Sequence, residues 1–392
     1  MIAKKHNFWL LQKLLVYLRM IKRTLTQLVE DKIGSGKAIM IIGPRQVGKT
    51  TMILNQLQHQ DYAFFDGDDP STRAELNSPN TEKIRQLLEG KKIAFIDEAQ
   101  RINGIGLTLK IITDQFKDVQ LWISGSSSFD LFNELNEPLT GRKWEYELYP
   151  ISWEEYQNHV GYLKSNKDLE NRLIYGMYPD IINSKAGREK EILRNLVNSY
   201  LYKDILSHGD IRKPEVLEKL VQGLALQIGS EVNYNELSQL VSISKDTVQR
   251  YIDILEKGYV IFRLRSFNRN VRNEIKRGRK IYFYDNGIRN AIIGEFSDIN
   301  NRQDVGMLWE NFLISERIKQ NNYKLTFAKS YFWRTKQQQE IDYVEQTGLN
   351  LSAYEFKWSS KVKARFSKTF IDAYDAEGKV INQENFREFV II

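Results

Sequence analysis

The octapeptide Gly43-Pro44-Arg45-Gln46-Val47-Gly48-Lys49-Thr50 places two glycines five apart, followed by a lysine and a hydroxyl. This spacing, G-x-x-x-x-G-K-[ST], suits the binding of phosphate. Gly43 and Gly48 permit torsions that turn successive N–H groups inward. Those donors and the N-terminus of the following helix then surround phosphate oxygens. Gly43 to Thr51 are therefore the expected nucleotide contacts. Lys49 is expected to reach the β- and γ-phosphates and Thr50 to ligate Mg²⁺. Further on, Ile93-Ala94-Phe95-Ile96-Asp97-Glu98 is an apolar run ending in two acids. Asp97 is expected to hold Mg²⁺ and Glu98 to polarise an attacking water. The chemistry is hydrolysis of a nucleoside triphosphate, with ATP and Mg²⁺ as cofactors.

Two other polar features belong to this reading. Leu121–Ser124 runs into Gly125-Ser126-Ser127-Ser128. Ser124 or Ser126 could contact the γ-phosphate or the lytic water, or simply cap a helix. Arg142 could supply positive charge to the transition state of its own or a neighbouring subunit, or be a surface arginine.

A second constellation stands near the C-terminus. Glu340-Ile341-Asp342-Tyr343-Val344 precedes Glu355-Phe356-Lys357. Glu355 and Lys357 are two apart on an expected strand, so they face one side. A hairpin through residues 346–350 would bring Asp342 beside them. Asp342 and Glu355 could hold a divalent ion while Lys357 orients or deprotonates a water, an arrangement suited to phosphodiester hydrolysis. Glu310 could add a third carboxylate. An edge hairpin with a surface ion pair is the plainer alternative.

Between these sites, residues 234–240 and 245–257 read as helix, turn, helix, followed by an alternating strand at 259–265, the pattern of a winged helix. Lys245, Thr247, Gln249 and Arg250 would face outward from the second helix as groove readers, although Asp246 beside them does not favour DNA. Arg263, Arg265, Arg269 and Arg272 could track phosphates. From Lys257 to Arg289 ten basic residues stand against Glu274 and Asp285, an excess of eight. Such a field favours a polyanionic partner.

The elements that must position these groups follow from periodicity. Short apolar runs at 37–42, 62–65, 92–96 and 119–124 alternate with helical patterns at 49–58, 81–88, 104–116 and 127–135. That alternation implies a parallel sheet covered on both faces. The expected organisation is an N-terminal amphipathic helix (1–30), a P-loop core (31–150), a helical connector (151–228), a winged helix (229–268) and a C-terminal mixed α/β domain (269–392).

Composition sets the outer limits. The chain has 392 residues, 42% hydrophobic and 27% charged, with a net charge of +7. These values fit a globular protein and exclude a disordered or fibrous one. The absence of cysteine removes disulfides, thiolate metal sites and cysteine nucleophiles, and four scattered histidines make a histidine metal site unlikely to arise. Near the start, Gln12 and Lys13 interrupt the apolar run, and no stretch reaches the roughly 18 apolar residues that span a bilayer. A cytoplasmic protein without membrane contact is expected.

Taken together, GPRQVGKTT, FIDEAQRI, ISGSSS, LTGRKWEYELYPISWEEY, GMYPDI and YLYKDIL resemble a bacterial and archaeal family of AAA-type ATPases. LWENFL, EIDYV and YEFKW match the C-terminal domain of that family, which looks like the PD-(D/E)xK nuclease fold. The resemblance implies an α/β fold: a P-loop NTPase (AAA-type) parallel sheet core, a helical connector with a winged helix, and a nuclease-like end. It carries the ATP roles onto Lys49, Thr50, Asp97 and Glu98, and the nuclease roles onto Asp342, Glu355 and Lys357. One departure is Ile341, where the nuclease pattern has proline. The resemblance does not establish nuclease activity. AAA-type cores often form homo-oligomers, as a ring or a dimer. The expected function is ATP hydrolysis coupled to binding or remodelling of nucleic acid, DNA foremost. The alternative is a nucleotide-controlled switch that binds a protein partner.

Overall fold

The structure is a computed structural model that describes residues 20–77, 79–126, 138–199, 213–268, 278–335, 337, 339–362, 366 and 368–391. Most of the expected N-terminal helix, the expected helix at 127–135, and Arg269 and Arg272 lie outside the described residues. Of the N-terminal stretch, Met20–Arg23 is not helical, and α1 spans Leu25–Glu30.

The first sheet contains β1 (Ala38–Gly43), β2 (Ala63–Asp66), β3 (Ile93–Asp97), β4 (Gln120–Ser126) and β5 (Lys143–Glu147). Its order is β2-β3-β4-β1-β5, and every neighbouring pair is parallel. All six β1 residues are buried, as a continuous apolar strand between two helical layers must be. Helix α2 (Lys49–Leu57) follows β1, and α3 (Ile105–Gln115) follows β3. The order puts β4 between the glycine-rich turn after β1 and the acid pair after β3. β5, which the sequence pattern does not reveal, forms one edge: its residues run KWEYE, without the apolar run that marks the inner strands.

Helix α4 (Trp153–Val160) opens a helical connector. Ser152 and Glu155 cap it reciprocally, each side chain accepting from the other's backbone N–H. After helix Pro214–Leu226 come β6 (Glu231–Val232), α5 (Tyr234–Val241), α6 (Lys245–Lys257), β7 (Ile261–Ser266) and β8 (Arg279–Phe283). β8 pairs antiparallel with both β6 and β7.

Helix α7 (Val305–Tyr323) leads into β9 (Lys329–Arg334), β10 (Glu340–Thr347), β11 (Asn350–Phe356) and β12 (Glu377–Ile381). β7 pairs in parallel with β9, so the second sheet runs β12-β11-β10-β9-β7-β8-β6 without a break. The expected boundary at residue 268 falls inside this sheet. One apolar cluster extends from Ile21 to Val390 and joins both sheets to the connector.

Candidate nucleotide and carboxylate–lysine sites

The glycine-rich turn joins β1 to α2. Gly43 has φ 145° and Gly48 has φ 93°, torsions open to glycine. Gly43 is constrained a second way: a Cβ there would stand 2.1 Å from the Leu148 carbonyl oxygen. Gln46, between them, also has positive φ (59°). Strained backbone of this kind concentrates at functional sites. Lys49 is buried, and its Nζ donates to the carbonyls of Gly43 (3.0 Å) and Pro44 (2.8 Å). Burial pulls the Lys49 ammonium down to about 8, although Glu98 and Asp97 act in the other direction.

The acids face this turn from β3. Thr50 Oγ1 donates to Asp97 Oδ1 (3.0 Å) and Oδ2 (2.9 Å). Burial raises the Asp97 carboxyl above its ordinary value, opposed by hydrogen bonds from Ser124 and Thr50. A hydroxyl and a carboxylate in contact are oxygen donors of the kind a hard divalent cation takes. Glu98 adopts φ 47° and is held from two sides. Gln100 Nε2 donates to Glu98 and to Ser126 Oγ (2.7 Å), and Ser126 Oγ donates to Glu98 Oε2 at 3.2 Å. Ser124 and Ser126 thus touch the acids, one each. Gln100 was not legible as a site residue, because nothing in FIDEAQRI marks which polar residue turns back toward the glutamate.

Beside the turn is a cavity of about 650 Å³, within the range of small-molecule pockets. Arg23, Gly48, Thr51, Met52, Asn55 and Asp180 are among its lining residues. Asp180 belongs to the short helix Pro179–Ile182 of the connector.

Arg142 is not near its own phosphate turn. Its carbonyl accepts from Ala38 N at the start of β1, whereas the turn follows the end of that strand. Six residues of strand separate them by roughly 17 Å. Its Nε pairs with Asp114 at 2.6 Å. Of the three expected readings, service to its own site is ruled out by this distance; a neighbouring subunit's site and a plain surface arginine are the other two.

The C-terminal residues do converge. A register shift in β10 between Ile341 and Val344 frames Asp342, the kind of bulge that re-aims a side chain. Lys357 Nζ lies 3.2 Å from Glu355 Oε2 and 3.8 Å from Asp342 Oδ2, and Asp342 Oδ2 accepts from Phe356 N at 2.8 Å. Burial, then Asp342, pushes the Glu355 carboxyl up to about 7. Glu310 on α7 comes into the same cluster but is already engaged. Its Oε1 accepts from Tyr282 OH (2.6 Å) and lies 3.3 Å from Lys280 Nζ. Lys280, almost wholly buried on β8, also pairs with Glu340. Among the described residues no three His, Asp or Glu side chains gather as a metal cage. Asp342 and Glu355 offer two ligands; Glu310, the expected third, has Lys280 in a cation's place.

The expected nucleic-acid residues divide. Lys245, Gln249, Arg250 and Arg265 are exposed; Thr247 is partly buried, its hydroxyl against Ser244 Oγ. Arg263 is committed inward, to Asp253 at 2.6 Å and to Glu256. Lys280 and Arg289, counted in the basic stretch, are likewise paired, with Glu310 and Asp304.

Comparison with known proteins agrees with this geometry for the first sheet. Residues 35–157 match the family described as AAA domain. Residues 166–299 and 305–390 match two domains of unknown function, DUF8612 and DUF4143. An uncharacterised protein of Haemophilus influenzae is 25% identical over 285 residues, covering 65% of this chain and 69% of its own. An uncharacterised protein of Mycobacterium tuberculosis is 25% identical over 315 residues, covering 79% and 68%. The Walker-type ATPase of Pyrococcus abyssi is similar over 70% of this chain and 96% of its own, with 15% identity and a TM-score of 0.48. No helix among the described residues is long and apolar enough to cross a membrane.

Proposed function

We propose that the protein, whose residues 35–157 match the AAA domain, is a P-loop ATPase of the AAA type whose ATP turnover is coupled to nucleic acid, DNA foremost, and that the carboxylate–lysine cluster cleaves phosphodiesters. In this reading Lys49 and the loop N–H groups bind the phosphates. Thr50 and Asp97 would hold Mg²⁺, whose positive charge would offset the negative charge of the phosphates when bound. Glu98, fixed by Ser126 and Gln100, orients and polarises the attacking water.

The observation that carries the nuclease half is the meeting of Asp342 on β10, Glu355 on β11 and Lys357 just past the end of β11. Those two carboxylates would hold a divalent ion, and Lys357 would orient a water against the scissile phosphorus. α5, α6 and their strands are read as a winged helix built into the same sheet. Arg265 and Arg279 face one another across β7 and β8, a like-charged pair that a phosphate would relieve. The test is cleavage of end-labelled single-stranded, double-stranded and branched DNA with Mg²⁺ or Mn²⁺. Lys357→Ala is expected to remove cleavage and leave ATP turnover within about twofold of wild type. Equal cleavage by both proteins contradicts the assignment.

A second reading is a nucleotide-controlled switch that docks a protein. It is favoured by the inward pairing of Arg263 and Lys280 and by the mixed charge of α6, where Asp246 is exposed beside Lys245. Partners captured with Glu98→Gln in ATP, and resistant to nuclease treatment, would support it.

A further inference from the structure

Arg23 has no role in the chemistry described above, yet it joins four separate stretches of the chain. It is 6% exposed. Its Nη1 donates to the Val47 carbonyl at 2.6 Å, inside the phosphate turn. Its Nη2 donates to the Tyr149 carbonyl at 2.6 Å and to the Tyr323 hydroxyl at 3.4 Å. Its Nε stands 3.2 Å from Glu155 Oε1, an ion pair at the start of α4. Burial works against the guanidinium charge, but Glu155 and Tyr323 together outweigh it and the group is held above its ordinary value. Arg23 also lines the cavity beside the turn.

The contact with Val47 acts on the phosphate cradle through the peptide unit itself. In a trans peptide the carbonyl of one residue and the N–H of the next point in opposite directions. Fixing the Val47 carbonyl on Arg23 therefore aims the Gly48 N–H away from Arg23. Gly48 has no side chain and sits in the left-handed region, so its own preferences would not hold that peptide plane. Arg23 is in turn steadied by Tyr323 at the last residue of α7, whose hydroxyl also accepts from Tyr149 N at 3.1 Å.

We propose that Arg23 is a positioning residue of the ATP site, and that Tyr323 completes its hold. The cradle for phosphate is then finished by a helix from the other end of the chain.

Steady-state ATP hydrolysis by full-length Arg23→Lys and Tyr323→Phe, with Lys49→Ala as the blank, tests this. Lysine keeps a charge beside Glu155 but replaces the planar fork, whose two arms reach the two carbonyls separately, with a single point of donation. The KM for ATP is expected to rise about tenfold in Arg23→Lys, and about threefold to tenfold in Tyr323→Phe, where one hydrogen-bonding oxygen is removed. In both, kcat should stay within about twofold, the signature of lost ground-state positioning. A merely structural role would lower the melting temperature and the active fraction with KM unchanged, and that result overturns the proposal. A rise in Arg23→Lys alone overturns the part assigned to Tyr323. Should Arg23→Lys fail to fold, Tyr323→Phe decides, since it removes a single oxygen atom from a packed ring.

Discussion

Lys49 shows how a single residue carries both the chemistry and its cost. Its ammonium is buried against two carbonyls, and burial draws it down from 10.5 to about 8. The unfolded chain binds that proton more readily than the folded one between those values. The penalty to stability is therefore complete below pH about 8 and fades as pH rises toward 10.5. Lys49→Met should abolish turnover and yet raise the melting temperature of the nucleotide-free protein at neutral pH, the two curves converging at high pH. A melting temperature lowered by the substitution at neutral pH contradicts this sign. The residue types at this site were readable from spacing alone, because phosphate chemistry demands them. The partners that orient them were not. Gln100 and Arg23 act through contacts made by chain folding back, which no linear pattern encodes.

At the scale of elements, the turn after β1 is shaped by its neighbours as much as by its ligand. Gly43 and Gly48 look equivalent in sequence but differ in the structure. Gly43 is pressed against Leu148, which follows β5, while a Cβ at Gly48 meets nothing closer than 4.0 Å. Gly43→Ala should cost several kcal/mol and unfold or displace the edge strand. Gly48→Ala should cost about 1–2 kcal/mol of torsional strain and show its effect mainly in nucleotide affinity. Thermal melts beside a nucleotide-binding assay separate the two, and equal losses of stability would contradict the distinction. The inner strands and helices α2 and α3 follow from apolar periodicity. β5 escapes it as a polar edge, and β12 as a strand with its first three residues exposed.

At the scale of the molecule, linear charge counting misleads. The excess of eight between Lys257 and Arg289 includes Arg263, Lys280 and Arg289, and each is neutralised by acids from outside that window. The boundary expected at residue 268 falls within one sheet, because a strand's partner is not visible in its own residues. β7 is paired with β8 on one side and β9 on the other. A fragment of residues 20–268 would lose both partners of β7 and leave Arg23 without Tyr323. It should fail to show a cooperative thermal transition or ATP turnover. A stable, active fragment would contradict the single-unit account.

Under the proposed function, turnover at the phosphate turn answers to nucleic acid. The most direct measurement is steady-state ATP hydrolysis by the full chain, with and without single-stranded, double-stranded or branched DNA, and with Lys49→Ala as the blank. A Lys49-dependent rate that at least one of these DNAs stimulates is expected, with the stimulation falling as salt is raised. A Lys49-dependent rate indifferent to all of them contradicts it.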